Sequence, residues 1–299
     1  MSRSIESLYR SVIQELKKAE IDDSNLVAIF IIEFVFSKKY LNLVSDSKKV
    51  TDEDCDRVNY FVSRFIDGEP LAYLFNEVTF RKNLYFVDKG VLIPRPETEQ
   101  MVDYLIEIIR FLKSLDVTLS VVELGIGSGV ISIELAKYFS DLNFKACDIS
   151  MIAIDVASKN KRRLNVDNLT LYHGDFFDLT SNFDFGALTL MVSNPPYISD
   201  DDYMKLDKYV LNEPKEALVA NDNGLEIIFK SLDFCIANSV LYFAEIGYDQ
   251  SSKIRENYQS IYFLHDINGV ERFVIYIPTH YFWVESFIKL LFEINSSLI

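Results

Sequence analysis

The chain has 299 residues, 49% of them hydrophobic, with three scattered cysteines and a formal net charge of −15. The hydrophobic share is ample for one large or two modest cores and excludes a disordered chain, while cysteines without paired spacing exclude a disulfide framework or a zinc site and suit a reducing cytoplasm. With 45 acidic against 30 basic residues, a duplex-binding surface is disfavoured because it needs clustered Lys and Arg against the phosphates, whereas long-range steering of a basic protein partner is favoured.

Residues 1–73 read as helices. Apolar positions at Ile5, Leu8, Val12, Ile13 and Leu16 recur at helical spacing, followed by Leu26 to Tyr40 and Asp52 to Ile66. Thr51 ahead of Glu53 and Asp54 marks an N-cap, and Gly68-Glu69-Pro70 ends the third helix. Leu26 to Phe36 is the most apolar stretch, yet Glu33 interrupts it and it is shorter than the roughly twenty residues of a membrane span, so a buried helix is expected there. The amino terminus lacks a signal-peptide pattern. From Val78 to Leu92 aromatic and β-branched residues alternate around Lys82-Asn83 and Asp88-Lys89-Gly90, which predicts a short hairpin, and Pro94 and Pro96 stiffen the entry to the next part.

From residue 100 a helix precedes alternating strands and helices, which predicts a mostly parallel sheet. The expected strands are Ser120 to Leu124, Phe144 to Cys147, Thr170 to Tyr172, Ala187 to Val192, Val240 to Glu245, Tyr262 to Asp266 and Arg272 to Ile277. Open α/β sheets bind ligands at the carboxyl ends of their strands, and two loops placed there carry chemistry. Gly125-Ile126-Gly127-Ser128-Gly129 joins the first strand to a helical run, and its glycines permit a tight turn and close backbone approach to a ligand. The third glycine of the dinucleotide fingerprint is not at its usual place, so S-adenosylmethionine suits the loop better than a nicotinamide or flavin. Asp148, closing the second strand, is placed to accept both ribose hydroxyls of an adenosine, and Glu123 to face the methionine moiety. The plain alternatives are an ordinary βα turn and a helix N-cap before Ser150.

The other loop is Asn194-Pro195-Pro196-Tyr197. Asn194 can accept a hydrogen bond from a planar substrate NH2 through its side-chain oxygen, a proline stiffens the loop and leaves a carbonyl as a second acceptor, and Tyr197 can stack on the flat group. A proline-rich turn is the plain alternative. The basic run Lys159-Asn160-Lys161-Arg162-Arg163 reads as a solvated helix face. His173, His265 and His280 lie in neither motif.

Four stretches together resemble the glutamine methyltransferases of peptide chain release factors, the PrmC/HemK family. They are Leu92-Ile93-Pro94-Arg95-Pro96-Glu97-Thr98-Glu99, residues 123–129, residues 193–198, and Asn212-Glu213-Pro214-Lys215-Glu216-Ala217-Leu218. Weaker echoes are Gly68-Glu69-Pro70-Leu71, Gly174-Asp175-Phe176-Phe177, and Glu245-Ile246-Gly247 with Gln250. The resemblance runs over about residues 1–276 and is weakest in the first 60. It implies an α/β fold, a seven-stranded class I methyltransferase (Rossmann-like) domain whose last strand inserts antiparallel, preceded by a small helical domain and a β-hairpin linker. The implied spans are 1–73 for helical substrate recognition, 74–95 for the hairpin, 96–277 for the methyltransferase and 278–299 for a tail of unassigned role.

The resemblance further implies S-adenosyl-L-methionine as cofactor, S-adenosyl-L-homocysteine as product, and methylation of the side-chain amide nitrogen of a glutamine, in the GGQ motif of class I peptide chain release factors. The enzyme is expected to be a cytoplasmic monomer with no direct nucleic-acid contact, no membrane contact and no metal. Its cofactor residues would be Glu123, Gly125, Ile126, Gly127, Ser128, Gly129, Asp148, Phe176 and Asn194, with Phe176 packing on adenine. Its catalytic residues would be Asn194, Pro195, Pro196 and Tyr197, with Arg95, Glu97, Glu213 and Lys215 bracing the loop. Three departures stand out: Asn76 where glycine is usual, a turn Ala220-Asn221-Asp222-Asn223-Gly224 that keeps one glycine of a pair, and the added tail with Tyr281-Phe282-Trp283 and apolar spacing through Phe287, Ile288, Leu291 and Phe292. Asn-Pro-Pro-Tyr alone is also similar to adenine amino-methyltransferases acting on nucleic acid, which the acidic charge and the Pro94 to Glu99 stretch oppose. A catalytically silent adaptor of the same fold is opposed by the three intact motifs.

Overall fold

A computed structural model describes residues 3–183, 185 and 188–298, and the chain folds as two units, Met1–Asn76 with Lys208–Asn212 and Glu77–Asp207 with Glu213–Ile299. Residues 1, 2, 299 and Ala187, at the limits of expected elements, lie outside the described residues.

The smaller unit is helical: α1 (Ile5–Lys18), α2 (Ser24–Phe36), α3 (Tyr40–Ser45), α4 (Asp52–Ile66) and α5 (Leu71–Phe75). On α1 the buried residues are Ile5, Leu8, Val12 and Leu16, spaced three or four apart so that one stripe faces the core. Thr51 caps α4 in a reciprocal box, with Asp54 N donating to Thr51 Oγ1 at 3.1 Å and Thr51 N donating to Asp54 Oδ2 at 3.0 Å. The single helix expected from Leu26 to Tyr40 is instead two, because Ser37 turns left-handed (φ 50°) and closes α2. A two-residue ribbon, β1 (Arg3–Ser4) with β2 (Lys49–Val50), is too short to leave a sequence pattern. The segment Lys208–Asn212 joins this unit through Tyr209, whose ring stacks on Phe65 at 4.6 Å. Asn76 takes φ 53°, the left-handed turn in which asparagine substitutes for glycine at little cost.

The larger unit opens with the hairpin β3 (Glu77–Phe80) and β4 (Asn83–Phe86), then α6 (Pro96–Ser114) with proline in its first turn. Strands β5 (Leu119–Leu124), β6 (Phe144–Asp148), β7 (Leu169–His173), β8 (Leu188–Ser193), β9 (Leu241–Glu245), β10 (Ile261–His265) and β11 (Glu271–Tyr276) form one sheet in the order β10-β11-β9-β8-β5-β6-β7. The five central and right-hand strands are parallel, and β11 inserts antiparallel between β9 and β10. Helices α7 (Val130–Tyr138) and α8 (Met151–Arg163) follow β5 and β6. Strands β8 and β9 are buried at every position and mostly apolar, with Thr189 and Ser193 the polar residues of β8 and Glu245 closing β9.

The tail forms a helix, Val284–Leu298, that buries Phe287, Leu291 and Ile294 against the main core, with Trp283 just ahead of it equally buried. Phe111 of α6 packs on Trp283 and Phe287, and Asn295 Oδ1 accepts from His265 N at 2.8 Å and Tyr104 Oη at 3.1 Å. The tail therefore caps α6 and the edge strand β10. Among the described residues no helix is long and apolar enough to cross a membrane.

Candidate active site

Parallel register aligns the strand ends that make the site. Leu124 of β5 pairs with Cys147 of β6 and with Ser193 of β8, and Ser193 pairs with Ala244 of β9, so the loops after all four strands leave at one level. A cleft of about 750 Å3 opens there, between the glycine loop and the Asn194 loop.

The glycine loop is held from beneath, with Gly125 N and Ile126 N both donating to Cys147 O at 2.9 and 3.0 Å. Gly125 and Gly127 have positive φ, and a Cβ on either would meet no atom within 4 Å, so open space lies over them for a ligand's close approach. At Gly129 a Cβ would meet Ile133 Cδ1 at 2.8 Å, so that glycine permits helix packing instead. Ser128 O accepts from Asn160 Nδ2 at 2.8 Å, and the same Asn160 side chain exchanges two hydrogen bonds with the Phe86 backbone of the hairpin. Asn160 is thus fully buried, whereas Lys159, Arg162 and Arg163 on either side of it are exposed as the basic run predicts.

Asp148 is not the cap of α8; Ser150 is, accepting from Ala153 N. Instead Asp148 accepts from Gly127 N through Oδ2 and from Ser150 N through Oδ1, each at 2.9 Å. Each oxygen keeps lone-pair capacity toward the cleft. Burial raises its carboxyl above the usual range against the lowering by those two bonds and by His173. Glu123 is 2% exposed and accepts from Ser132 N at 3.0 Å. Burial pushes this carboxyl up to about 8, with the charge of Asp148 adding to the rise, so a cation brought beside it would restore the ionised form.

On the opposite wall Asn194 donates both Nδ2 hydrogens inward, to Thr98 Oγ1 and to Glu245 Oε2, each at 3.1 Å. Its amide is oriented by those bonds, leaving Oδ1 as the atom available to a ligand. Thr98, in the first turn of α6, also donates to Glu245 Oε2 at 3.1 Å, and Tyr197 Oη donates to Glu245 Oε1 at 3.0 Å. Glu245 is 1% exposed, and a buried carboxylate is tolerable only with such a set of donors. The loop backbone is held as well: Gln250 Nε2 donates to Tyr197 O at 2.9 Å, and Ile198 exchanges hydrogen bonds with Leu218 and Ala220. Arg95 Nη2 pairs with Glu213 Oε1 at 2.6 Å while Ile93 N donates to Glu213 Oε2 at 3.0 Å, which ties the segment before α6 to Glu213. Lys215 pairs with Asp200 on the surface.

Asn194, Pro195 and Pro196 line the same cleft as Glu123, residues 125–128 and Asp148. Gly129 lies behind it, and Tyr197 is not among the described lining residues, its hydroxyl being turned to Glu245. Phe176 reaches the lining but is 1% exposed, stacked on Phe183 within an aromatic cluster. Its neighbour Phe177, half-buried under Lys230 Nζ at 4.2 Å from the ring, presents more surface to the cleft. Thr98 and Glu245 fall within the resembling stretches, where neither has a role of its own from sequence. The available signal was a carboxylate ending a wholly apolar strand at the ligand-binding edge of the sheet.

The profile described as "PrmC N-terminal domain" matches residues 7–75, and that of the "Methyltransferase small domain" matches residues 106–231. The chain is 36% identical over 226 residues to the release factor glutamine methyltransferase of Nitratidesulfovibrio vulgaris, covering 75% of this chain and 74% of that one. It is 31% identical over 263 residues to the enzyme of that name from Bacillus anthracis, covering 84% and 92%, and 32% identical over 240 residues to that of Bacillus subtilis, covering 77% and 83%. Among solved structures, the catalytic domain of hMettl16 in complex with MAT2A 3'UTR hairpin 6 superposes with a TM-score of 0.51 at 13% identity, covering 64% of this chain and 74% of that one, which establishes the shared fold alone. By sequence over most of its length, and with both domains matched, the chain belongs to the release factor glutamine methyltransferase family.

Proposed function

We propose that the protein methylates the side-chain amide nitrogen of a glutamine, that of the GGQ motif, in class I peptide chain release factors. The observation that carries the reading is the oriented amide of Asn194 on the wall opposite the glycine loop. Bound S-adenosylmethionine supplies a sulfonium methyl group, whose C–S electron pair stays on sulfur as the carbon is transferred. The residues present fit this cofactor: open space over Gly125 and Gly127, an acceptor for ribose hydroxyls at Asp148, and a buried carboxyl at Glu123 for a cationic head.

An amide nitrogen is a weak nucleophile because its lone pair is delocalised, so the chain's task is to orient it and to favour its pyramidal form. Asn194 Oδ1 accepts one substrate N–H and the Pro195 carbonyl accepts the other, both bonds strengthening as positive charge develops on the nitrogen. The extra proton is then lost to water. Labelled-methyl incorporation into release factor, ribosomal protein and DNA, run side by side, tests this. Label in release factor is expected; label in DNA alone would favour the adenine reading, and label in none would favour the silent adaptor.

Asp148→Ala removes two hydrogen bonds to a charged acceptor, about 1–3 kcal/mol, and is expected to weaken cofactor binding roughly 5- to 150-fold by calorimetry; unchanged affinity would overturn the ribose assignment. Glu123, held up at about 8, is largely protonated in the free enzyme at pH 7. A cationic head lowers its pKa, so binding at pH 7 releases roughly one proton, and affinity rises with pH until about pH 8 and then flattens. Calorimetry in buffers of different ionisation enthalpy reads this release, which Glu123→Gln is expected to abolish.

A further inference from the structure

We infer that Glu245 is the positioning residue of this site, an anion behind Asn194 that dictates which end of the Asn194 amide meets the substrate and strengthens that end as an acceptor. The inference rests on the proposed reaction at Asn194, but its structural half can be tested without any substrate.

Glu245 Oε2 accepts from Thr98 Oγ1 and Asn194 Nδ2, and Oε1 accepts from Tyr197 Oη. Only an ionised carboxylate accepts at both oxygens without offering a donor. With Glu245 ionised, Nδ2 of Asn194 must point inward and Oδ1 is presented. With Glu245 protonated, a donor appears behind Asn194, the amide is free to reverse, and Nδ2 would then face the substrate's own N–H groups, which no donor can grip.

The charge also acts through the amide. An anion hydrogen-bonded to Nδ2 polarises the side chain so that Oδ1 becomes a stronger acceptor, in a site where low dielectric magnifies the effect. Glu245 thereby supplies part of the stabilisation for the charge developing on the substrate nitrogen without touching it. In the ionised form Glu245 acts through these three bonds from Thr98, Asn194 and Tyr197 and not as the base that takes the substrate's proton, which is lost to water.

The carboxyl titrates within reach of ordinary assay conditions. Burial pushes it up to about 7; Tyr197, Thr98 and the charge of Arg272 lower it, and Glu97 raises it. Arg272 in turn lies 3.6 Å from Asp266 and donates to Ile246 O, so its charge is itself anchored on β11. The turnover number should therefore rise with pH through about 7.

The decisive variant is Glu245→Gln, which keeps the volume and removes the charge. We expect kcat to fall roughly 50- to 100-fold with cofactor affinity changed less than about threefold, and the limb of the pH profile near 7 to vanish. Glu245→Asp, which keeps the charge, should retain the limb with intermediate activity. On the unmodified enzyme, the side-chain NH2 resonances of Asn194, assigned by comparison with Asn194→Ala, should shift with a midpoint near 7 and resist hydrogen exchange above it. Near-wild-type kcat and pH profile in Glu245→Gln, or Asn194 resonances that do not titrate between pH 6 and 8, would overturn the inference. Because the resonance titration uses no substrate, it decides the role of Glu245 even where a release factor failed to be methylated, an outcome that would instead remove the proposed function.

Discussion

Asn194→Ala is expected to reduce methyl transfer to a release factor by about a hundredfold or more while leaving cofactor affinity within a fewfold of wild type. The side chain's two donor hydrogens are committed to Thr98 and Glu245, so the variant removes a single prearranged acceptor, Oδ1, from the cleft wall. Loss of one preorganised polar group from an active site typically costs 10²–10³ in kcat. The effect should fall mainly on kcat, since the bond to the substrate nitrogen strengthens as charge develops. The substitution also leaves the buried Glu245 with one donor fewer, which adds a stability loss of about 1–3 kcal/mol, measurable by denaturant unfolding. Retention of near-wild-type turnover on a release factor would remove Asn194 from the mechanism, and activity regained only on DNA would promote the adenine alternative.

Gly224→Ala is expected to disable the same loop from the other side. Gly224 has φ +80°, and a Cβ there would lie 2.0 Å from Tyr197 O, 2.4 Å from Tyr197 C and 2.8 Å from Gln250 Nε2. Backbone, and not a flexible side chain, must give way. Movement of the Tyr197 carbonyl breaks its bond from Gln250 and shifts the loop three residues from Asn194. Left-handed strain of about 1–2 kcal/mol and steric displacement of about 1–3 kcal/mol together predict a large fall in melting temperature and in activity. Gly269→Ala is the control: φ is +76° but no atom lies within 4 Å of its Cβ, so it carries the strain alone. A melting temperature for Gly224→Ala no lower than for Gly269→Ala would show that the loop tolerates the contact. This also explains why Gly224 is the glycine kept in its turn: Asp222 and Asn223 beside it adopt φ 51° and 55°, which short polar residues tolerate, whereas position 224 has no room for any Cβ.

In the larger unit the strands and their alternation with helices are legible in the amino-acid sequence. All seven strands were placed to within one or two residues, because each is an apolar run closed by a polar or glycine signal. It also supplied the glycine loop, Asp148 and the Asn194 loop, since local chemistry at a strand end is written in consecutive residues. It did not reveal the break after Phe36, where Ser37 turns left-handed without a glycine or proline to announce it, nor that the tail's apolar stripe covers α6 and β10. What stands behind Asn194 is a matter of three-dimensional packing. Thr98, Asn194, Tyr197 and Glu245 converge because parallel register sets β8 beside β9 and α6 begins across their ends, a coincidence of distances between residues up to 147 positions apart in the chain. Hydrogen bonding requires atoms within about 3 Å, and no periodicity in the sequence encodes which distant donors will reach one buried carboxylate.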